Sequence, residues 1–244
     1  MDLFTELIDI IYPKKCHLCL DFLDDEESKL PDICNSCFSG LPVLTHPFCS
    51  ICGVPFESKV EEDHLCEKCI RTRPFYDELR APYLYEDIIM EAIHRLKYSG
   101  KSYLAKSLGS LMADFLKEWT GDIDDSMIMI PVPLHKRKLR QRGFNQSALL
   151  VRSTAKLLDI ETDYFTLRRI RYTETQTGLT IEERRKNVKR AFEVTGNANL
   201  NGKSVILVDD VATTGNTMDE CARVLKMAGC ERVLGLTLAR TAAY

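Results

Sequence analysis

Eight of the chain's ten cysteines stand in four Cys-x-x-Cys pairs, all before residue 70: Cys16/Cys19, Cys34/Cys37, Cys49/Cys52 and Cys66/Cys69. Two intervening residues let both sulfurs of a pair reach one ion from a tight knuckle, and a second knuckle completes a tetrahedral site. The separation from Cys19 to Cys34 is nearly repeated from Cys52 to Cys66. The simplest reading is two consecutive four-cysteine zinc (Zn2+) modules. Sequential pairing is preferred over interleaved pairing because the spacing repeats. The first third of the chain therefore folds around metal rather than around a large apolar core. Stripping the metal is expected to unfold residues 1–70 and leave the rest folded, since each module has too few apolar residues to fold alone.

Residues 1–12 carry Asp2, Glu6 and Asp9 and no basic start, so they do not read as an export signal. Their apolar residues suit one side of a short helix, expected to cover the first module. No apolar run is long enough to span a bilayer. A cytoplasmic location is expected, and in a reducing compartment paired cysteines hold metal more often than they form disulfides. Cys221 and Cys230, far downstream, are expected to be buried small residues rather than ligands.

The net charge of -3 hides a division. Residues 1–70 hold 5 Lys and Arg against 14 Asp and Glu; the remainder holds 28 against 22. Four thiolates around one divalent ion leave each module about two charges more negative still. An acidic ribbon repels phosphate, so it suits protein contact or a structural role. A polyanion is to be sought on the later part.

At 244 residues the chain has room for two compact units. The expected division is an N-terminal helix and double zinc ribbon over 1–75 and a second domain over 76–244. Helical spacing marks 88–96, 104–119, 147–158 and 217–227, with a further short helix over 181–189. Apolar runs at 127–132, 204–208 and 233–238 read as buried parallel strands, and 82–85 and 164–167 as shorter ones. Residues 134–146 read as a loop. Alternating strands and helices imply an α/β fold with a parallel sheet flanked by helices.

The most specific chemistry lies between Val205 and Thr217, which reads VILVDDVATTGNT. A strand buried on both faces ends in two carboxylates, Asp209 and Asp210. A turn of small residues follows, and then a helix starts. Open α/β sheets bind ligands at this end of their strands. The turn offers backbone N–H groups beside a helix N-terminus, which suits phosphate. The carboxylates would repel phosphate alone; they make sense if the ligand also carries hydroxyls or a divalent cation.

This string resembles the phosphoribosyl-pyrophosphate (PRPP) motif of type I phosphoribosyltransferases. The resemblance implies that Asp209 and Asp210 hold the ribose 2′- and 3′-hydroxyls. It implies that the turn of Ala212, Thr213, Thr214, Gly215, Asn216 and Thr217 holds the 5′-phosphate, with Mg2+ accompanying PRPP. The segment 134–146 would be the pyrophosphate loop. Its five cations Lys136, Arg137, Lys138, Arg140 and Arg142 suit a ligand with several phosphates. Solvated surface is a serious alternative for Lys136 and Lys138, and a weaker one for Arg142, which precedes Gly143-Phe144-Asn145-Gln146. Contacts to pyrophosphate or nucleic acid are assigned to Lys97, Arg137, Arg142, Asn145 and Gln146. Segment 168–190 would be a lid, with Gln176, Arg184 and Asn187 on it. Purine-salvage enzymes acting on 6-oxopurines usually carry an Asp where this chain has Thr213, so those acceptors are disfavoured.

Pro-Val-Pro-Leu before Arg142-Gly-Phe-Asn-Gln146, the string Leu96-Lys-Tyr-Ser-Gly100, and Thr175-Gln-Thr-Gly-Leu179 with Arg184 and Asn187 narrow the match. Together with the cysteine pairs they resemble the ComF family over nearly the whole chain. What that implies is a double zinc ribbon followed by a phosphoribosyltransferase-like domain. It also implies a role in natural transformation: handling incoming single-stranded DNA beside a ComFA-type helicase that meets the acidic zinc module, with peripheral association with the uptake machinery at the membrane. An active phosphoribosyltransferase of nucleotide metabolism is the alternative.

Overall fold

Runs of Val, Ile, Leu and Met place the centre of the molecule. Strands so apolar on both faces must be covered on both faces, and the chain supplies those covers between them. The computed structural model describes residues 13–23, 30, 32–56, 61–98, 102–173, 181–196 and 199–242. The helix expected over 1–12 lies outside them.

The elements begin with two short helices in the cysteine region, α1 (Asn35–Ser39) and α2 (Glu67–Arg71), then strands β1 (Glu78–Arg80) and β2 (Tyr83–Leu84). Helices α3 (Asp87–Tyr98) and α4 (Leu104–Thr120) lead to strand β3 (Met127–Pro131). Helices α5 (Lys136–Arg142) and α6 (Gln146–Leu158) are followed by strands β4 (Glu161–Thr162) and β5 (Leu167–Arg169). Helix α7 (Ile181–Val188), strands β6 (Phe192–Val194) and β7 (Ser204–Ala212), helix α8 (Asn216–Met227) and strand β8 (Arg232–Arg240) complete the chain order.

Among the described residues the larger sheet has six strands in the order β1-β8-β7-β3-β4, with β2 also on β8. Every pairing in it is parallel. Side chains alternate across β7. Ile206 and Val208 join Leu236 and Leu238 of β8 under α3, α4 and α6, whereas Val205 and Leu207 pack against α8. This is a sheet with helices on both faces. No described helix is long and apolar enough to cross a membrane.

The two cysteine modules pack on opposite faces of this sheet. Cys16, Leu18, Ile33, Cys37 and Leu41 share a core with α3 and α4, and His17 Nδ1 meets Ser107 Oγ at 2.7 Å. Cys49, Ile51, Cys52 and Cys69 share the other core with Leu79 of β1 and with α8. Cys221 and Cys230 are buried there as expected.

Two expectations need correction. Residues 134–146 are largely helical, not a loop. Their Lys, Arg, Leu and Gln are good helix formers. His135 caps α5 by accepting from Arg137 N–H at 3.2 Å. Gly143, at φ 85°, stops it in the left-handed conformation that glycine adopts without strain. Of the strand expected over 164–167, residues 164–166 are the turn between β4 and β5, and only Leu167 is extended, as the start of β5. Between them Asp163 accepts the N–H groups of Phe165 and Thr166 at 2.7 and 2.9 Å, an Asx-type turn. Strands β1 and β6 were invisible to hydrophobic pattern, because three residues with charged members carry no periodicity.

Candidate functional site

The sulfurs gather in sequence order. Cys16, Cys19, Cys34 and Cys37 place their Sγ atoms within 4.8 Å of one another, and so do Cys49, Cys52, Cys66 and Cys69. Cys19 to Cys34 is 3.8 Å and Cys52 to Cys66 is 3.7 Å. A tetrahedron of sulfurs with Zn–S bonds of about 2.3 Å has edges of about 3.8 Å. Backbone N–H groups turn toward the sulfurs: Cys16 Sγ accepts from Leu18 and Cys34, and Cys49 Sγ from Cys52 and Cys66, all at 3.4–3.5 Å. Four soft thiolates with no open position make structural zinc sites.

The second site lies at the C-terminal end of β7. Alternation sends Asp209 toward the α8 face and Asp210 toward the α3 face. The first turn of α6 lies over the strand end and reaches both: Ser147 Oγ donates to Asp209 at 2.8 Å, and Gln146 Nε2 donates to Asp210 at 3.1 Å. Lys97, at the end of α3, forms an ion pair with Asp210. Arg142 in turn donates to Gln146 Oε1 at 2.5 Å. Lys97, Arg142, Gln146, Asp209 and Asp210 are thus one connected group.

The two carboxyls are driven apart. Burial and the charge of Asp210 push Asp209 up to about 7. Burial also works against the Asp210 carboxylate, but the Lys97 ammonium outweighs it and holds that carboxyl below its usual range. The cations tell the complementary story. On α5, Lys138 and Arg142 sit one turn apart and half-buried, while Lys136, Arg137 and Arg140 are exposed. Burial and the neighbouring charges of Arg169, Arg142 and Lys97 depress the Lys138 ammonium. Positive charge is crowded here beyond what the two acids balance.

The turn after β7 is built for a small residue. Gly215 stands at φ 74°, and a Cβ there would lie 3.0 Å from the Tyr76 hydroxyl. Asn216 is buried, and its Nδ2 has no hydrogen-bond partner. An unspent donor at a helix N-terminus beside a glycine turn fits a phosphoryl group.

A double zinc ribbon domain model matches residues 7–70, and a phosphoribosyl transferase domain model matches residues 145–244. The Competence protein F of Haemophilus influenzae is 29% identical over 211 residues, covering 85% of this chain and 90% of that protein. The Competence protein ComFC of Bacillus subtilis is 28% identical over 217 residues, covering 86% and 84%. The DNA utilization protein YhgH of Escherichia coli O157:H7 reaches 33% over 214 residues, covering 86% and 90%. The chain belongs to the ComF family.

The other residues expected at this ComF site fall differently. Asn145 is occupied structurally: it caps α6 and donates to Val132 O at 3.0 Å. Arg137 is exposed, with its guanidinium 5.0 Å from the Tyr172 ring centre. Gln176 lies outside the described residues. Arg184 and Asn187 fall on α7, where Arg171 donates to the Asn187 carbonyl at 2.9 Å. Segment 168–190 springs from the antiparallel pair β5–β6. Sequence reasoning passed over Ser147 and Lys138 as an inward cation, and reached Arg169 only as a member of the lid segment 168–190. Helical spacing from Arg142 would have found Lys138 once α5 was recognised as a helix.

Proposed function

We propose that this ComF-family protein binds PRPP with Mg2+ at the end of β7 and acts in natural transformation, handling incoming single-stranded DNA. The crowding of Lys138, Arg142, Lys97 and Arg169 around one acidic pair carries the reading. A ligand with a diol and several phosphates satisfies both signs of charge at once. Asp209, the more open acid, accepts from a ribose hydroxyl, with Asp210 behind it. The turn from Ala212 to Thr217 holds the 5′-phosphate. Lys138 and Arg142 face the pyrophosphate. Mg2+, when bound, screens charge between its oxygens. The relatives' names, competence and DNA utilization proteins, support the cellular role.

The DNA surface is assigned to the exposed flank of α5. Tyr98 and Tyr172 are exposed there, with Arg142 5.2 Å over the Tyr98 ring and Arg137 over Tyr172. Aromatic rings interleaved with cations suit unpaired bases and their backbone. The acidic module, taken as residues 1–75, would meet a ComFA-type helicase in the cytoplasm, since its negative charge suits protein contact rather than DNA.

The test titrates labelled single-stranded DNA against wild type and Asp209→Ala/Asp210→Ala, with and without PRPP. PRPP is expected to shift DNA affinity in wild type and not in the variant, whose PRPP affinity falls at least about tenfold. An unchanged DNA titration in the presence of PRPP would rule out a shared site. Release of pyrophosphate with any nucleobase would replace this reading with that of an active transferase.

A further inference from the structure

The second cysteine module reaches into the phosphate turn. Lys68 stands between Cys66 and Cys69 on α2. Its ammonium donates to the Thr214 carbonyl at 2.5 Å and to Asn216 Oδ1 at 3.1 Å. Beside it lies Arg240, buried at the end of β8. Its Nε donates to the Cys52 carbonyl at 3.1 Å, and its Nη2 lies 4.0 Å from Cys52 Sγ. Its Nη1 donates to the carbonyls of Ala212, at 2.7 Å, and Thr213. The linker that follows adds two contacts: Phe75 N–H donates to Asp219 Oδ1 at 2.7 Å, and the Tyr76 hydroxyl fills the space beside Gly215.

These bonds have one geometric effect. Three successive carbonyls, Ala212, Thr213 and Thr214, are drawn toward cations on the module side. A turn whose carbonyls are held this way leaves its N–H groups to the opposite side, where an anion would sit. The cations also lie against a tetrathiolate centre, whose charge of about minus two they offset. We propose that Lys68 and Arg240 are positioning residues that lock the phosphate turn to the second zinc module, so the turn keeps its shape only while that module is folded. Among the described residues the first module's ion pair goes elsewhere, from Asp32 to Lys106 on α4.

The experiment follows amide hydrogen exchange over 212–217 in the full zinc-loaded chain without ligand, with zinc content measured by native mass spectrometry. Lys68→Met is expected to speed exchange in that segment at least about tenfold, as loss of charge-assisted hydrogen bonds implies. Both zinc ions are retained, and Lys68→Arg restores protection. Arg240→Lys gives a second reading if Lys68→Met folds poorly. Lys106→Met, which breaks the first module's ion pair, leaves the turn unchanged. Equal exchange in Lys68→Met and wild type would overturn the proposal. So would equal loosening by Lys106→Met. PRPP affinity is measured separately on the same proteins: a turn that loosens in a chain that never binds PRPP sinks the ligand assignment and leaves the lock standing.

Discussion

Among the described ion pairs Lys97 and Asp210 are the most deeply buried, with side chains 19% and 5% exposed. Breaking a buried pair by removing one partner strands the other charge, at a cost of about 3–5 kcal/mol. Lys97→Met is therefore expected to destabilise the chain by that order in urea melts. The pH dependence has a definite sign. The Asp210 carboxyl is held below its unfolded value near 3.8, so the pair stabilises fully above that value and its contribution fades as pH falls through the lower folded value. In Lys97→Met burial is opposed only by the hydrogen bonds of Asp209 and Gln146, so the folded carboxyl rises and the stability that Asp210 contributes as pH climbs past 3.8 is lost. The gap between wild type and variant must widen with pH; a constant gap would mean that Lys97 matters for packing alone. Asp209 behaves oppositely. Its carboxyl is raised to about 7, so the folded chain keeps a proton that the unfolded chain releases, and stability falls over that window. Its ionised form grips hydroxyls better. PRPP affinity by calorimetry should rise as pH passes about 7 in wild type. The rise should be smaller in Asp209→Asn, with titration of the PRPP phosphates common to both. Parallel profiles would remove Asp209 from the site.

Helix α5 shows how an element changes the meaning of its residues. Read as a loop, 134–146 offers five cations, of which only Arg142 is set apart by the residues that follow it. Wound as a helix, it sends Lys138 and Arg142 inward and leaves Lys136, Arg137 and Arg140 in solvent. The helix was legible in principle, since His135 and Gly143 bracket a run of good formers, but Pro131, Pro133 and the charge density masked it. The order of strand, turn and helix around Gly215 was legible because each is a local feature, although the strand runs on to Ala212 rather than ending at 208. The turn's dependence on Gly215 is a matter of backbone and space together. Gly215→Ala forces a side chain at φ 74° against the Tyr76 hydroxyl. It should cost about 1–2 kcal/mol in stability. It should also weaken PRPP binding more than a matched loss of stability elsewhere. Calorimetry beside thermal melts separates the two; affinity equal to wild type would show that the turn does not seat phosphate.

At the scale of the whole molecule, the ribbons are not appendages. Their cysteines are members of the cores on both faces of the sheet. Trp119, the single tryptophan, lies on α4 and reports this. It donates to Glu78 of β1 at 3.4 Å, and Arg80 lies 5.9 Å over its ring while donating to Ser50 O at 2.8 Å, beside Cys49. Chelation is expected to red-shift Trp119 emission along with loss of circular dichroism, rather than leave residues beyond 70 untouched as a modular chain would. Unchanged emission would favour independent units. Cysteine spacing and the run from Val205 to Thr217 determined, without coordinates, the two metal modules, the parallel sheet and the acid–glycine site, because each is written within a few neighbouring residues. Only the tertiary structure decided that Lys97 serves Asp210, that Lys138 faces inward, and that Lys68 and Arg240 join a zinc knuckle to the phosphate turn. Those contacts span up to 188 residues of chain, and no local periodicity records which distant side chains a packed core brings together.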